Sequence, residues 1–178
     1  MTAPAFHPVA IECVRGDITR EQVDAIVNAA NTALAPGGGV CGAIMSAAGP
    51  GLAAECARIG GCPTGEAVAT GGHALPARYV IHAVGPVWRG GGHGEEALLA
   101  ACHRAAVARA RELGCASLAV PAISTGIYGV PVARAAPVAL GALRAAAAPP
   151  LERVRVVLFS DADLDVYRRA LAALDDAR

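Results

Sequence analysis

The stretch "NAANTALAPGGGVCGAIM", residues 28–45, sets two asparagines ahead of three consecutive glycines and then begins an apolar run with helical spacing. Without a Cβ, Gly37, Gly38 and Gly39 can take positive φ and let a ligand approach the backbone closely. A helix starting just behind them presents N–H groups that have no intrahelical partner, and these favour an anion. A turn that needs only positive φ is the plainer reading of the same glycines. "GGGVCG" also satisfies G-x-G-x-x-G through Gly37, Gly39 and Gly42, the pattern of a dinucleotide-binding turn. In that unit the first glycine closely follows the first strand. Here "NTALAP" intervenes after the second apolar run, and the position twenty past Gly42 is Cys62 instead of an acid.

Moving outward, short Val- and Ile-rich runs recur at 9–14, 23–29, 66–71, 79–84, 117–123 and 154–160, and they read as strands. Longer segments with helical spacing separate them: "CGAIMSAAG", "GLAAECARI", "GEEALLAACHRAAVARARELG", "PVARAAPVALGALRAAAA" and "DADLDVYRRALAALDDA". This alternation predicts a single layered α/β domain over residues 1–178, with helices on both faces of a sheet. Two prolines in "AAAAPPLE" (145–152) stop a helix before the last strand. Thr19 and Gln22 in "TREQ" have capping-box spacing and predict the start of a first helix. Asp17, just before it, reads either as a cap or as an acceptor for an exocyclic amine at the sheet edge.

A second small-residue loop, "PAISTGIYG" (121–129), leaves the strand at 117–123 and places Ser124, Thr125, Gly126 and Gly129 ahead of a helix near 132. Loops beyond the carboxyl ends of strands in an α/β sheet converge on one crevice, so two such loops suit a diphosphate. Tyr128 in the second loop either covers a sugar or packs with its hydroxyl in solvent.

Composition narrows the chemistry. Of 178 residues 54% are apolar and 17% charged, the net charge is zero, and no apolar run approaches the roughly 18 residues of a membrane span. With no basic patch ahead of an apolar block, the N-terminus predicts no signal peptide, and a soluble, cytoplasmic protein is expected. All fifteen basic residues are arginine, which removes Schiff-base lysines and the P-loop lysine. At 3% aromatics and zero net charge, neither a basic face nor a stacking platform for nucleic acid is evident. Six irregularly spaced cysteines read as reduced thiols, and their spacing supports no zinc site.

Together "GDIT" (16–19), "IVNAAN" (26–31), "GGGVCGAI" (37–44), "GPVWRGG" (85–91) and "PAISTGIYG" (121–129), in this order and spacing, resemble a macrodomain of the MacroD type. The resemblance spans roughly residues 9–172. It implies a three-layer α/β/α sandwich with a mixed central sheet, and ADP-ribose as ligand. It further implies that Asp17 accepts from the adenine amine, that the Ile18 backbone donates to the same ring, and that Phe159 stacks near it. Gly38, Gly39, Val40, Cys41 and Gly42 would wrap the diphosphate from one side and Ser124, Thr125, Gly126, Ile127 and Tyr128 from the other. Asn31 would hold hydroxyls of the distal ribose, with Tyr128 packed against that sugar. ADP-ribosylated proteins, and nucleic-acid ends bearing ADP-ribose, are the expected partners of a monomer that needs no cofactor, metal or membrane.

Two positions depart from the hydrolytic pattern "GGGVDGAIH": the acid is Cys41 and the histidine Met45. Neither is a carboxylate base. A viral branch with alanine at the acid's position is nonetheless hydrolytic, with water thought to be ordered by the ligand's phosphate and the loop. Cys41, at a helix N-terminus, reads either as a small residue beside the phosphates or as a thiol made acidic by the helix dipole. His82 in "YVIHAV" reads as a packed strand residue or as a catalyst. Three functions follow as expectations. The first is an ADP-ribosyl hydrolase acting on Asp- or Glu-linked ADP-ribose or on O-acetyl-ADP-ribose, with Asn31 and Cys41 as candidate catalytic residues. The others are a non-catalytic ADP-ribose reader and a nicotinamide-dependent oxidoreductase using "GGGVCG".

Overall fold

Six of the apolar runs form one sheet, in a computed structural model that describes residues 8–178. The strands are β1 (Ala10–Arg15), β2 (Ala25–Ala30), β3 (Ala67–Gly71), β4 (Tyr79–Val84), β5 (Ser117–Val120) and β6 (Arg153–Leu158). Their order is β1-β6-β5-β2-β4-β3, and every neighbouring pair is parallel except β3 with β4. Five strands therefore end at the same edge, and the loops leaving it are the ones the glycine patterns single out. β5 is shorter than its apolar run because Pro121, without an N–H, cannot extend the ladder.

The helices are α1 (Gly39–Ala48), α2 (Pro50–Ile59), α3 (Glu95–Glu112), α4 (Val132–Ala146) and α5 (Asp161–Asp176). Strand alternation sorts the core into two layers. Ala25 and Val27 of β2 with Ile81 and Ala83 of β4 pack under α3, α4 and α5, whereas Ile26 and Ala30 with Val80 and Val84 pack under α1 and α2. The result is the expected α/β/α sandwich with a mixed sheet.

The helix predicted at "TREQ" does not form. Only a 3-10 turn, Ile18–Arg20, interrupts residues 16–24, and Thr19 lies inside it, with Asp17 in the capping position. The reason is reach. From the end of β1 the chain must pass three strand positions sideways and return to the start of β2, about 24 Å in all, whereas nine residues of α-helix span about 14 Å. An extended path is required.

Candidate functional site

The two glycine-bearing loops line one cleft of about 300 Å³ at the carboxyl edge of β2, β4 and β5. Asn31 and Gly37–Cys41 form one wall and Ser124, Gly126, Ile127 and Tyr128 the other, with Gly85, just beyond β4, between them. The walls approach closely: a Cβ, had Gly38 one, would lie 3.8 Å from Ile127 Cδ1. Ile127 is 90% exposed, an unusual setting for so large an apolar side chain outside a binding surface.

Each loop has a physical reason for its small residues. α1 begins at Gly39 behind the Gly38 cap, and its first closed bond is Gly42 N to Gly38 O at 3.2 Å, so helix geometry leaves the N–H groups of Gly39, Val40 and Cys41 without helical acceptors. Gly39 has φ +57°, and a Cβ on Gly42 would stand 2.6 Å from the Gly37 carbonyl oxygen. Gly42 thus holds the loop from below without lining the cleft. In the facing loop Ser124 takes φ +65° while Val130 N donates to its carbonyl. Ser124 Oγ is buried without a protein partner among the described residues, and a Cβ on Gly85 would come within 2.2 Å of it. Thr125 is half-buried, and its hydroxyl donates to Ala122 O.

Asn31 sits at the β2 end of the cleft. Its Nδ2 donates to Ala35 O at 2.9 Å and its Oδ1 accepts from Ala35 N at 3.0 Å. A carboxamide has two N–H donors and two lone pairs, so one of each remains for a ligand diol. Cys41 is buried against the same segment, with Sγ 3.8 Å from Ala35 O and 3.7 Å from Asn28 Nδ2. Met45 is one turn further along α1, within the core. Among the described residues no aspartate or glutamate lines the cleft.

Asp17, Ile18 and Phe159 lie outside the cleft proper, beyond the paired ends of β1 and β6, where Gly16 N donates to Leu158 O. The structure shows Asp17 as a cap: Oδ1 accepts from Thr19 N at 2.9 Å and from the Thr19 hydroxyl at 2.6 Å. The Thr19 hydroxyl and N–H hold the Asp17 carboxyl below its ordinary range, and Oδ2 has no partner among the described residues. Capping and acceptance from a ligand amine can therefore coexist. Phe159 is 86% exposed beside it.

Two features go beyond what the sequence singled out. Glu95, at the start of α3, accepts from the backbone N–H groups of Arg89, Gly91 and His93 at 3.0, 2.7 and 2.6 Å. Burial opposes its ionisation, but these donors prevail and hold the carboxyl down to about 2. The loop so buckled carries Trp88, whose N–H donates to Tyr128 O at 2.7 Å, and thereby braces the second wall. The other is the pair Asn28 and His82, opposite each other on β2 and β4 and fully buried behind the first wall. His82 stands out in the sequence as a strand histidine and Asn28 as a carboxamide in the middle of "AIVNAA", but their pairing does not.

A glycine-walled cleft at the carboxyl edge of a three-layer α/β sandwich defines the class, and comparison with known proteins makes it particular. Residues 27–139 match the family model of the Macro domain. A Macro domain-containing protein of Chlorobaculum tepidum is 55% identical, over 93% of this chain and 97% of its own. The Oceanobacillus iheyensis macrodomain solved with ADP superposes with a TM-score of 0.89 at 41% identity, covering 93% of this chain and 92% of that one. The Trypanosoma brucei macrodomain in complex with ADP-ribose gives 0.84 at 41% identity, over 90% and 68% of the two chains. The chain belongs to the macrodomain family.

Proposed function

We propose that this protein binds ADP-ribose along the carboxyl edge of its sheet and hydrolyses the ester that joins the distal ribose to an acyl group. Its substrates would be Asp- or Glu-linked ADP-ribosyl proteins and O-acetyl-ADP-ribose. The observation that carries the reading is the meeting of the two side-chain-poor loops across one cleft, with Asn31 at one end and Asp17 and Phe159 beyond the other. A diphosphate would lie between the backbone amides of Gly39–Cys41 and the Ser124–Tyr128 loop, where fixed N–H dipoles oppose its charge. Adenine would reach Asp17 Oδ2 and the face of Phe159. The distal ribose would give a hydroxyl proton to Asn31 Oδ1 and take one from Nδ2, using the donor and acceptor left free by Ala35. The structures of relatives with ADP and with ADP-ribose support this ligand.

Because no carboxylate among the described residues lines the cleft, the hydrolysis proposed is one of positioning. Water held by the ligand's phosphate and the glycine loop attacks the ester, which parts into a carboxylic acid and a ribose hydroxyl. The test is a linkage-resolved assay with Glu-linked ADP-ribose on the purified protein. Turnover is expected, abolished by Asn31→Ala and slowed severalfold by Cys41→Ala; abolition in both would make the thiol the reacting group. The same missing carboxylate favours a second reading, a non-catalytic reader. Saturable ADP-ribose binding with no release from any linkage would establish it in place of the enzyme.

A further inference from the structure

Behind the glycine wall a chain of buried polar groups crosses the α1/α2 side of the sheet, and neither ligand binding nor hydrolysis as derived above uses it. Thr70 Oγ1 lies 2.9 Å from His82 Nε2, His82 Nδ1 lies 3.1 Å from Asn28 Nδ2, and Asn28 Nδ2 lies 3.7 Å from Cys41 Sγ. Cys41 Sγ in turn faces Ala35 O, the carbonyl that also takes the Asn31 side chain. Asn28 and His82 have no solvent exposure and Thr70 is 3% exposed, so each contact matters: a buried polar group left unpaired is costly, and Asn28 Oδ1 already lacks a protein partner among the described residues.

The chemistry of the groups gives the chain a direction. With the Asn28 carboxamide turned so that Nδ2 faces His82 and Oδ1 is left without a protein partner among the described residues, His82 Nδ1 accepts and its single proton sits on Nε2, between Thr70 Oγ1 at 2.9 Å and Cys56 Sγ at 3.6 Å. The hydroxyl then passes its own proton to the backbone, at Gly71 O or Val80 O. The second Asn28 proton goes to Cys41 Sγ, which leaves the S–H free to donate to Ala35 O. Burial keeps His82 neutral by lowering it to about 4, against a smaller opposing pull from Glu55, so one tautomer serves over the physiological range.

We propose that His82 and Asn28 are positioning residues of the cleft, acting through the Cys41 thiol to fix Ala35 and with it the side chain of Asn31. The thiol in this arrangement is a hydrogen-bonding link. Its place at the acid position of "GGGVDGAIH" is filled by a group that supports the ribose-holding asparagine from behind. The consequence for ADP-ribose rests on the ligand reading above, whereas the direction of the chain does not.

Two measurements test it. Nitrogen-15 NMR of His82 in the ligand-free protein is expected to show a protonated Nε2 and an unprotonated Nδ1; a protonated Nδ1 would reverse the bonds on both sides of the imidazole, take the Asn28 Nδ2 donor away from it and overturn the proposal. In the second, ADP-ribose affinity is measured in a double-mutant cycle. His82→Leu should weaken binding about fivefold, the worth of one hydrogen bond, and by less than about twofold once Cys41→Ala is present. His82→Asn, which keeps an acceptor near the Nδ1 position, should restore most of the loss. Equal losses in both backgrounds would show a merely structural histidine and overturn the proposal. Should His82→Leu fail to fold, Thr70→Val in the same cycle removes the acceptor for Nε2–H and carries the same expectation. If the unmodified protein does not bind ADP-ribose, the functional reading fails while the NMR result still decides the chain.

Discussion

The two faces of the sheet are built on opposite principles. Under α3, α4 and α5 the residues of β2, β4, β5 and β6 meet the helices through Val, Leu, Ile and Ala, and this layer makes no part of the cleft wall contributed by α1. Under α1 and α2 the same strands place Asn28 and His82 in mid-sheet, among Ile26, Val80, Ile44 and Leu52, directly behind the glycine loop. The first face supplies stability through burial; the second gives up apolar area to hold a loop in one geometry. Substitutions should therefore separate the two: changes on the first face lower stability and leave ligand affinity alone, while changes to Asn28, His82 and the glycine loop on the second lower ligand affinity as well.

The largest expected effect is on the apolar face. Leu140 is wholly buried in α4, and Leu140→Ala should lower unfolding free energy by about 3 kcal/mol with ADP-ribose affinity unchanged, as read by urea denaturation and titration calorimetry. Loss of affinity at constant stability would break the comparison.

Acid should act on both faces together, since each hides one histidine. Burial lowers both His82 and His103 to about 4, with only a weaker pull upward from Glu55 on the first and from the Leu99 carbonyl on the second. An unfolded histidine takes up a proton below about pH 6.5 while the folded one stays neutral, so stability is full above that pH and falls on acidification toward pH 4. Each can contribute on the order of 3 kcal/mol at the limit, and replacing His103 by Leu should remove about half of the slope in denaturation followed against pH. Glu95 adds its share only lower, as pH drops from 4.5 toward 2.

Smaller in stability but sharper in function is Gly42→Ala. Alanine ordinarily favours a helix interior by up to about 1 kcal/mol, yet its methyl would meet Gly37 O at 2.6 Å. ADP-ribose affinity is expected to fall at least about tenfold with little change in melting temperature. Glu95→Gln, which turns an amide donor toward backbone donors, should loosen the 88–94 loop and the Trp88–Tyr128 contact. A severalfold weakening of ADP-ribose binding checks it.

What the sequence disclosed follows from which features are local. A glycine that must lack a side chain, such as Gly39 at φ +57°, announces itself wherever it occurs, and so both cleft walls were legible. Alternating strands and helices gave the layers, while the part assigned to Asn31 came from the family resemblance. Residues whose roles depend on a distant partner were not legible. Asn28 acquires meaning only when parallel pairing sets His82 against it, fifty-four residues away. Glu95 reads as an ordinary acid at a helix start until the loop 88–94 folds back over it. At 16–24 local pattern misled: Thr19 and Gln22 have helical spacing, but the strand order demands a long reach.

The central claim is that the two glycine loops act as one grip on a pyrophosphate. Calorimetric titration of ADP-ribose, with adenosine and ribose 5-phosphate as controls, tests it most directly. Saturable one-to-one binding that requires the diphosphate, and that Gly42→Ala and Ser124→Pro each impair separately, is the expected result. Equal affinity for adenosine alone, or no heat with ADP-ribose at millimolar concentration, would contradict it.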